Sequence, residues 1–130
     1  MDDVAILVVA DDPSIRTTVS EILDLEGYVV ETACDGAEAL KVLEQAFPSL
    51  VLLDMRMPVL DGWGFARVVK ERGLQLPILV MTAAQNAKRW ADEIGAAGYL
   101  AKPFELLDLL AAVERVHASH ARDRGAHGKL

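Results

Sequence analysis

The chain has 130 residues, 52% of them hydrophobic and 25% charged, a balance that fits one globular domain and excludes a disordered chain. Its net charge is −7, from 13 Lys and Arg against 20 Asp and Glu, which excludes a general nucleic-acid binder, because phosphate contacts need a basic footprint. Arg122, Arg124 and Lys129 against Asp123 leave residues 118–130 at +2 and the rest of the chain at −9, read first as a solvated acidic surface.

Val4 to Val9 is a continuous, β-branched run, as expected of a strand buried on both faces. Asp12-Pro13 supplies a helix cap followed by proline at the first helical position. Ile15, Val19, Ile22 and Leu23 then recur at helical spacing until Gly27. Tyr28 to Thr32 reads as a second strand. Asp35-Gly36 opens a second helix, with Ala39, Leu40 and Leu43 inward and Pro48 beyond its end. Leu50 to Leu53 is a third strand, ending in Asp54. Asp61-Gly62 leads into a third helix carrying Phe65, Val68 and Val69. Pro77 to Met81 is a fourth strand, ending in Thr82, and an Ala-rich helix follows from about Asn86 to Ile94. Gly98 to Ala101 is a fifth strand, ending in Lys102-Pro103. The last helix runs from about Phe104 to Val116, with Leu106, Leu109, Leu110, Val113 and Val116 as its apolar residues.

Five such β-α repeats predict an α/β fold, a doubly wound three-layer sandwich with a five-stranded parallel sheet, because right-handed crossovers put helices on both faces. Residues 118–130 lack an apolar stripe and read as a C-terminal tail or frayed helix end, and all three histidines lie at or near it. A single cysteine, Cys34, excludes an intramolecular disulfide and a Cys-rich zinc site and fits a reducing compartment. Met1-Asp2-Asp3 is not the start of a signal peptide, and the longest apolar run is far short of the roughly 20 residues that cross a bilayer. The expectation is a soluble, cytoplasmic protein.

In open parallel sheets, ligands bind beyond the carboxyl ends of the strands. Strand one ends in Ala10, Asp11 and Asp12, strand three in Asp54, strand four in Thr82 and strand five in Lys102. Three carboxylates, a hydroxyl and an ammonium are candidates for one site. Clustered carboxylates repel unless a cation sits among them, and hard oxygen ligands with open positions suit Mg²⁺. A carboxylate beside Mg²⁺ can accept a phosphoryl group, while a hydroxyl and an ammonium can bind its oxygens. No Walker-type glycine loop is present, so a nucleotide is not the expected ligand.

These residues resemble the receiver domain of two-component response regulators. The matching stretches are Ile6-Leu7-Val8-Val9-Ala10-Asp11-Asp12-Pro13-Ser14-Ile15-Arg16, Leu53 to Gly62, Val80-Met81-Thr82-Ala83-Ala84 and Gly98-Tyr99-Leu100-Ala101-Lys102-Pro103-Phe104. The resemblance spans residues 4 to about 117. It implies a flavodoxin-like (βα)5 fold and a phosphorylation-dependent switch. Asp54 would accept phosphate from a sensor histidine kinase or a histidine phosphotransfer protein. Asp11, Asp54 and the backbone carbonyl of Arg56 would hold Mg²⁺, for which Mn²⁺ could substitute, with Asp12 as a further candidate. Thr82 and Lys102 would bind the phosphoryl group. Tyr99 would follow Thr82 and report to the face of helix four, strand five and helix five. The Lys102-Pro103 bond would be cis.

On this resemblance residues 1–117 form the receiver and 118–130 a tail, with no output domain. A downstream partner and a phosphorylation-dependent homodimer are candidate partners; nucleic acid and membrane are not. Two departures from the family pattern stand out. Counting back five residues from Arg16 makes Asp11 the second acid of the usual pair and Ala10 the first, so one acid is replaced, and Asp12 falls at the variable position. An alternative is therefore a pseudo-receiver, a binding module with impaired Mg²⁺ binding or phosphorylation. The 20 positions from Thr82 to Lys102 are about two fewer than the family's, which predicts a shortened loop or helix four. A turnover enzyme is not expected: phosphatases with a phosphoaspartate intermediate carry a second Asp two residues after the nucleophile, and Arg56 stands there. Met55, Met57 and Trp90 read as packing residues, Cys34 as inert, and Trp63 carries no assigned role.

Overall fold

The computed structural model describes residues 5–128, with side chains through residue 119. Five strands, β1 (Ala5–Val9), β2 (Val29–Ala33), β3 (Leu50–Asp54), β4 (Ile78–Ala83) and β5 (Gly98–Lys102), alternate with helices α1 (Pro13–Leu25), α2 (Gly36–Gln45), α3 (Gly62–Glu71), α4 (Ala84–Ile94) and α5 (Leu106–Gly128). All neighbouring strands pair in parallel, in the order β2-β1-β3-β4-β5. The doubly wound architecture is the one the alternation implies.

The strand period of two divides the core. Leu7, Val9, Val51, Leu53 and Val80 face one side and pack with Ala39 and Leu43 of α2, Phe65 and Val69 of α3 and Trp90 of α4. Ile6, Val8, Leu50, Leu52, Leu79 and Met81 face the other and pack with Val19 and Leu23 of α1 and Leu109, Val113 and Val116 of α5. β1 and β3 are buried along almost their whole length, whereas edge strand β2 is largely exposed. The continuous apolar runs are thus the central strands.

Three helices begin on the predicted caps. Asp12 Oδ1 accepts from the amides of Ser14 at 2.8 Å and Ile15 at 3.4 Å. Asp35 accepts from Glu38 at 2.8 Å and Asp61 from Gly64 at 2.9 Å. Each satisfies an amide that the first helical turn leaves unpaired.

α5 departs from expectation at both ends. It starts at Leu106, whose side chain is exposed; its buried stripe begins at Leu109. It also runs on to Gly128, so the boundary expected at residue 117 falls inside a helix. The sequence there has no apolar stripe, yet Ala118, Ala121, Arg122, Arg124 and Ala126 are strong helix formers, and propensity does not need a core. The side chains of His120 and His127 lie outside the described residues. No helix among the described residues is long and apolar enough to cross a membrane.

Candidate functional site

The strand order reverses between β1 and β3, because the chain leaves β1 for β2 on one side and continues through β3, β4 and β5 on the other. The crevice beyond the carboxyl ends of those two strands is where such sheets bind ligands. Val9 pairs with Leu53, so the next residues along, Ala10 and Asp54, stand side by side. Asp54 closes β3 with its side chain only 9% exposed. On the far side of β4, Lys102 closes β5 opposite Ala83 and reaches back so that its Nζ donates to Asp54 Oδ2 at 3.1 Å. Two residues 48 apart in sequence thus form a largely buried, charge-assisted pair, satisfied by geometry that the sheet fixes. Thr82 is buried at the fifth position of β4. The Lys102-Pro103 peptide is cis.

The other predicted residues sit differently. Asp11 is exposed just past β1. Asp12 gives its Oδ1 to the first turn of α1. Ala10 is fully buried and apolar beside Asp54, and Arg16 closes over its backbone: Nη1 donates to the Ala10 carbonyl at 2.7 Å and to the Asp11 carbonyl at 3.4 Å. Tyr99 on β5 is 43% exposed and belongs to neither core.

The loop from Met55 to Asp61 is held tightly. The Gly62 amide donates to the Met55 carbonyl at 2.9 Å, and a Cβ at Gly62 would lie 2.8 Å from the Met55 Cα; only glycine lets α3 start this close to the strand end. The Gly36 amide donates to the Leu60 carbonyl at 2.9 Å, and the Leu60 amide to the Pro58 carbonyl at 2.8 Å. That last bond closes a three-residue turn over Val59, whose φ is +70°, the rare and strained hand of the γ-turn.

Between Thr82 and Lys102 the connection into helix four is as short as it can be. β4 ends at Ala83 and α4 begins at Ala84, with no loop between. Ala83 is the N-cap and contributes no side-chain bond.

The donors are all hard oxygens. Asp54, Asp11 and the Arg56 carbonyl fit Mg²⁺, which binds through one or two carboxylates and keeps several waters. They do not fit a cage of protein ligands: among the described residues no three His, Cys, Asp or Glu are grouped to hold a metal. A cleft of about 450 Å³ opens beside the pair between α1 and the segment after β5, lined by Ser14, Ile15, Thr18, Lys102, Pro103 and Phe104. Cys34, after β2, is partly buried; hydrogen bonding to Glu38, then burial, push its thiol above the ordinary value.

One cluster has no counterpart in the sequence reading. Trp63 and Trp90 meet edge to face with centroids 4.8 Å apart. The Arg56 guanidinium lies 5.1 Å from the Trp90 ring centroid, and Trp63 Nε1 donates to Glu93 Oε1 at 2.9 Å. Packing was expected of Trp90, which is buried. Trp63 could have been found only by placing two tryptophans on adjacent helices.

A buried carboxylate with a lysine on it and a hydroxyl one strand away, at the switch point of a 2-1-3-4-5 sheet, is the arrangement that the sequence resemblance led us to expect. The chain belongs to the response regulator receiver domain family, whose model matches residues 6–114, and so to the proteins of two-component systems. It is 42% identical over 124 residues to the response regulator MprA of Mycobacterium sp. strain KMS, covering 94% of this chain and 54% of the relative. MprA of Mycobacterium ulcerans is 44% identical over 110 residues, 83% of this chain and 47% of the relative. The chain therefore spans about half the length of these relatives. Among solved structures, the chemotaxis response regulator CheY4 of Vibrio cholerae superposes with a TM-score of 0.81 at 37% identity, over 88% of this chain and 99% of that one. NtrX from Brucella abortus superposes with a TM-score of 0.92 at 29% identity, over 99% of this chain and 30% of that one.

Proposed function

We propose that Asp54 is the phosphoacceptor of a switch that a histidine kinase or a phosphotransfer protein drives in the cytoplasm. The observation that carries this reading is the Lys102–Asp54 pair at 3.1 Å at the switch point of the sheet. In transfer, an Asp54 carboxylate oxygen attacks the phosphorus of a phosphohistidine in line. The P–N bond breaks, the acyl phosphate P–O bond forms, and the imidazole leaves and takes a proton. The Lys102 bond to Oδ2 fixes the carboxylate's orientation, and its ammonium then meets the transferred oxygens. The Thr82 hydroxyl donates to another of them. Mg²⁺ held by Asp11, Asp54 and the Arg56 carbonyl, or Mn²⁺ in its place, would supply charge neutralisation on the phosphoryl oxygens. Thr82 and Tyr99 pass the change to the α4-β5-α5 face, where a protein partner or a second copy binds in the phosphorylated state.

A second reading is favoured by Ala10: a receiver fold used for binding, with weak metal affinity and little phosphorylation. Asp12, committed to α1, does not restore the lost carboxylate. Acetyl phosphate with Mg²⁺, read by intact mass, separates the two. Addition of one phosphoryl group to the wild type and none to Asp54→Ala supports the switch. Addition to both overturns Asp54 as acceptor. Addition to neither, together with no Mg²⁺ binding at tens of millimolar, selects the binding module.

A further inference from the structure

Helix α4 is tied to the pocket at two places. Its N-terminus follows Thr82 after a single residue, Ala83, with neither loop nor side-chain cap to absorb a movement of the strand end. Its later half is gripped by the aromatic cluster, through buried Trp90 and through Glu93 on Trp63. Trp63 is on α3, whose first amide is bonded to the Met55 carbonyl. Arg56, whose guanidinium faces the Trp90 ring, is the residue whose carbonyl is the proposed metal ligand.

Arg56 thus joins both ends, through its backbone and through its side chain. A carbonyl and the side chain of its own residue share a Cα, so a backbone shift that displaces the Arg56 Cα moves its carbonyl and its guanidinium together. A ligand shifts an equilibrium only through contacts that differ between two arrangements, and packed aromatic clusters have discrete arrangements rather than continuous ones. We propose that Arg56, Trp90, Trp63 and Glu93 form a clasp that couples the phosphoryl and metal pocket to α4 along its α3-facing side. This route is separate from the Thr82–Tyr99 route to β5. It rests on Asp54 being the phosphoacceptor. Coupling of this kind is reciprocal, so a partner that holds α4 also changes metal affinity.

The test compares the full chain, Trp90→Leu and the double variant Trp63→Leu/Glu93→Gln. Each is treated with acetyl phosphate and Mg²⁺, its phosphate content is read by intact mass, and hydrogen exchange is followed over residues 84–94. A cation–π contact at an exposed site biases an equilibrium by about two- to five-fold. Exchange in α4 of the wild type is therefore expected to change by at least about twofold on phosphorylation. Both variants are expected to gain phosphate and to keep less than half of that change. Trp90 is buried, so if its replacement does not fold, the double variant, which removes one half-buried and one exposed side chain, decides. Equal changes in variant and wild type overturn the coupling, as does a phosphorylated wild type whose α4 exchange is unchanged. A wild type that gains no phosphate overturns the phosphoacceptor reading and the coupling with it, and the mass measurement tells that failure from the others.

Discussion

Replacing Val59 with glycine should stabilise the protein. Val59 sits at φ +70° in a turn closed by the Leu60 amide on the Pro58 carbonyl at 2.8 Å. A β-branched residue there crowds its Cβ against the backbone, at about 1–3 kcal/mol for a position of this kind. Glycine removes that strain but makes the unfolded chain more flexible, which costs about 0.5–1 kcal/mol. Little packing is lost, because the valine is 82% exposed and its covered remainder is worth about 0.5 kcal/mol at most. With each term at mid-range the balance is a gain of about 0.75 kcal/mol, or about 2–4 °C in Tm for a domain of this size. Thermal and urea unfolding of the wild type, Val59→Gly and Val59→Ala measure it. Alanine keeps a Cβ at positive φ and should gain less than glycine. A Val59→Gly midpoint at or below the wild type would refute the strain argument. Alanine equal to glycine would show that the γ-branches, not the Cβ, carry the strain.

Ala10→Asp should raise Mg²⁺ affinity by about tenfold or more, since one added charge contact of about 1.4 kcal/mol is a factor of ten. It should also lower metal-free stability by about 1–3 kcal/mol, because it puts a second carboxylate into a fully buried position beside Asp54; Mg²⁺ titration and urea midpoints with and without the ion read both, and unchanged affinity would count against a metal at this crevice. Cys34 should alkylate more slowly than a free thiol at neutral pH, because its raised pKa leaves less thiolate. The rate should climb above pH 9, and Glu38→Gln should speed it at every lower pH by removing the first cause of the shift. Equal rates in the two proteins would deny Glu38 that role.

The fold was legible because the central strands are short apolar runs bounded by turn signals and the first three helices each begin on an Asp. Asp12, Asp35 and Asp61 cap as their positions suggest, since a cap acts on the backbone within three residues and needs no tertiary context. The Asp54–Lys102 pair was legible for a different reason: parallel strands bring every carboxyl end to one edge, whatever the separation in sequence. What was not legible depends on side chains meeting across helices or on dihedral angles. Nothing in the order of residues says that Trp63 and Trp90 face each other, or that Val59 accepts a positive φ. Leu106 reads as core because it is apolar and in phase with Leu109, Leu110 and Val113, yet it lies a turn before α5 reaches the sheet. Beyond residue 117 the sequence loses its apolar stripe, but the helix continues.

The replacement at position 10 has an energetic consequence that runs through the whole switch. With acids at 10, 11 and 54, the crevice would repel itself strongly without a cation, and the metal would relieve that repulsion. With Ala10 the repulsion falls, Asp54 is balanced by Lys102 at 3.1 Å, and the metal-free state is correspondingly less costly. Less free energy is then gained when the cation enters. A ligand can move a two-state element only by its differential affinity for the two states. If Asp54 is the phosphoacceptor proposed above, more of that difference would come from the phosphoryl group itself, with Lys102 exchanging a single carboxylate oxygen for the transferred oxygens and Thr82 drawn to them. Because α4 begins directly after Ala83 closes the strand, such a movement would reach the helix without a loop to dissipate it.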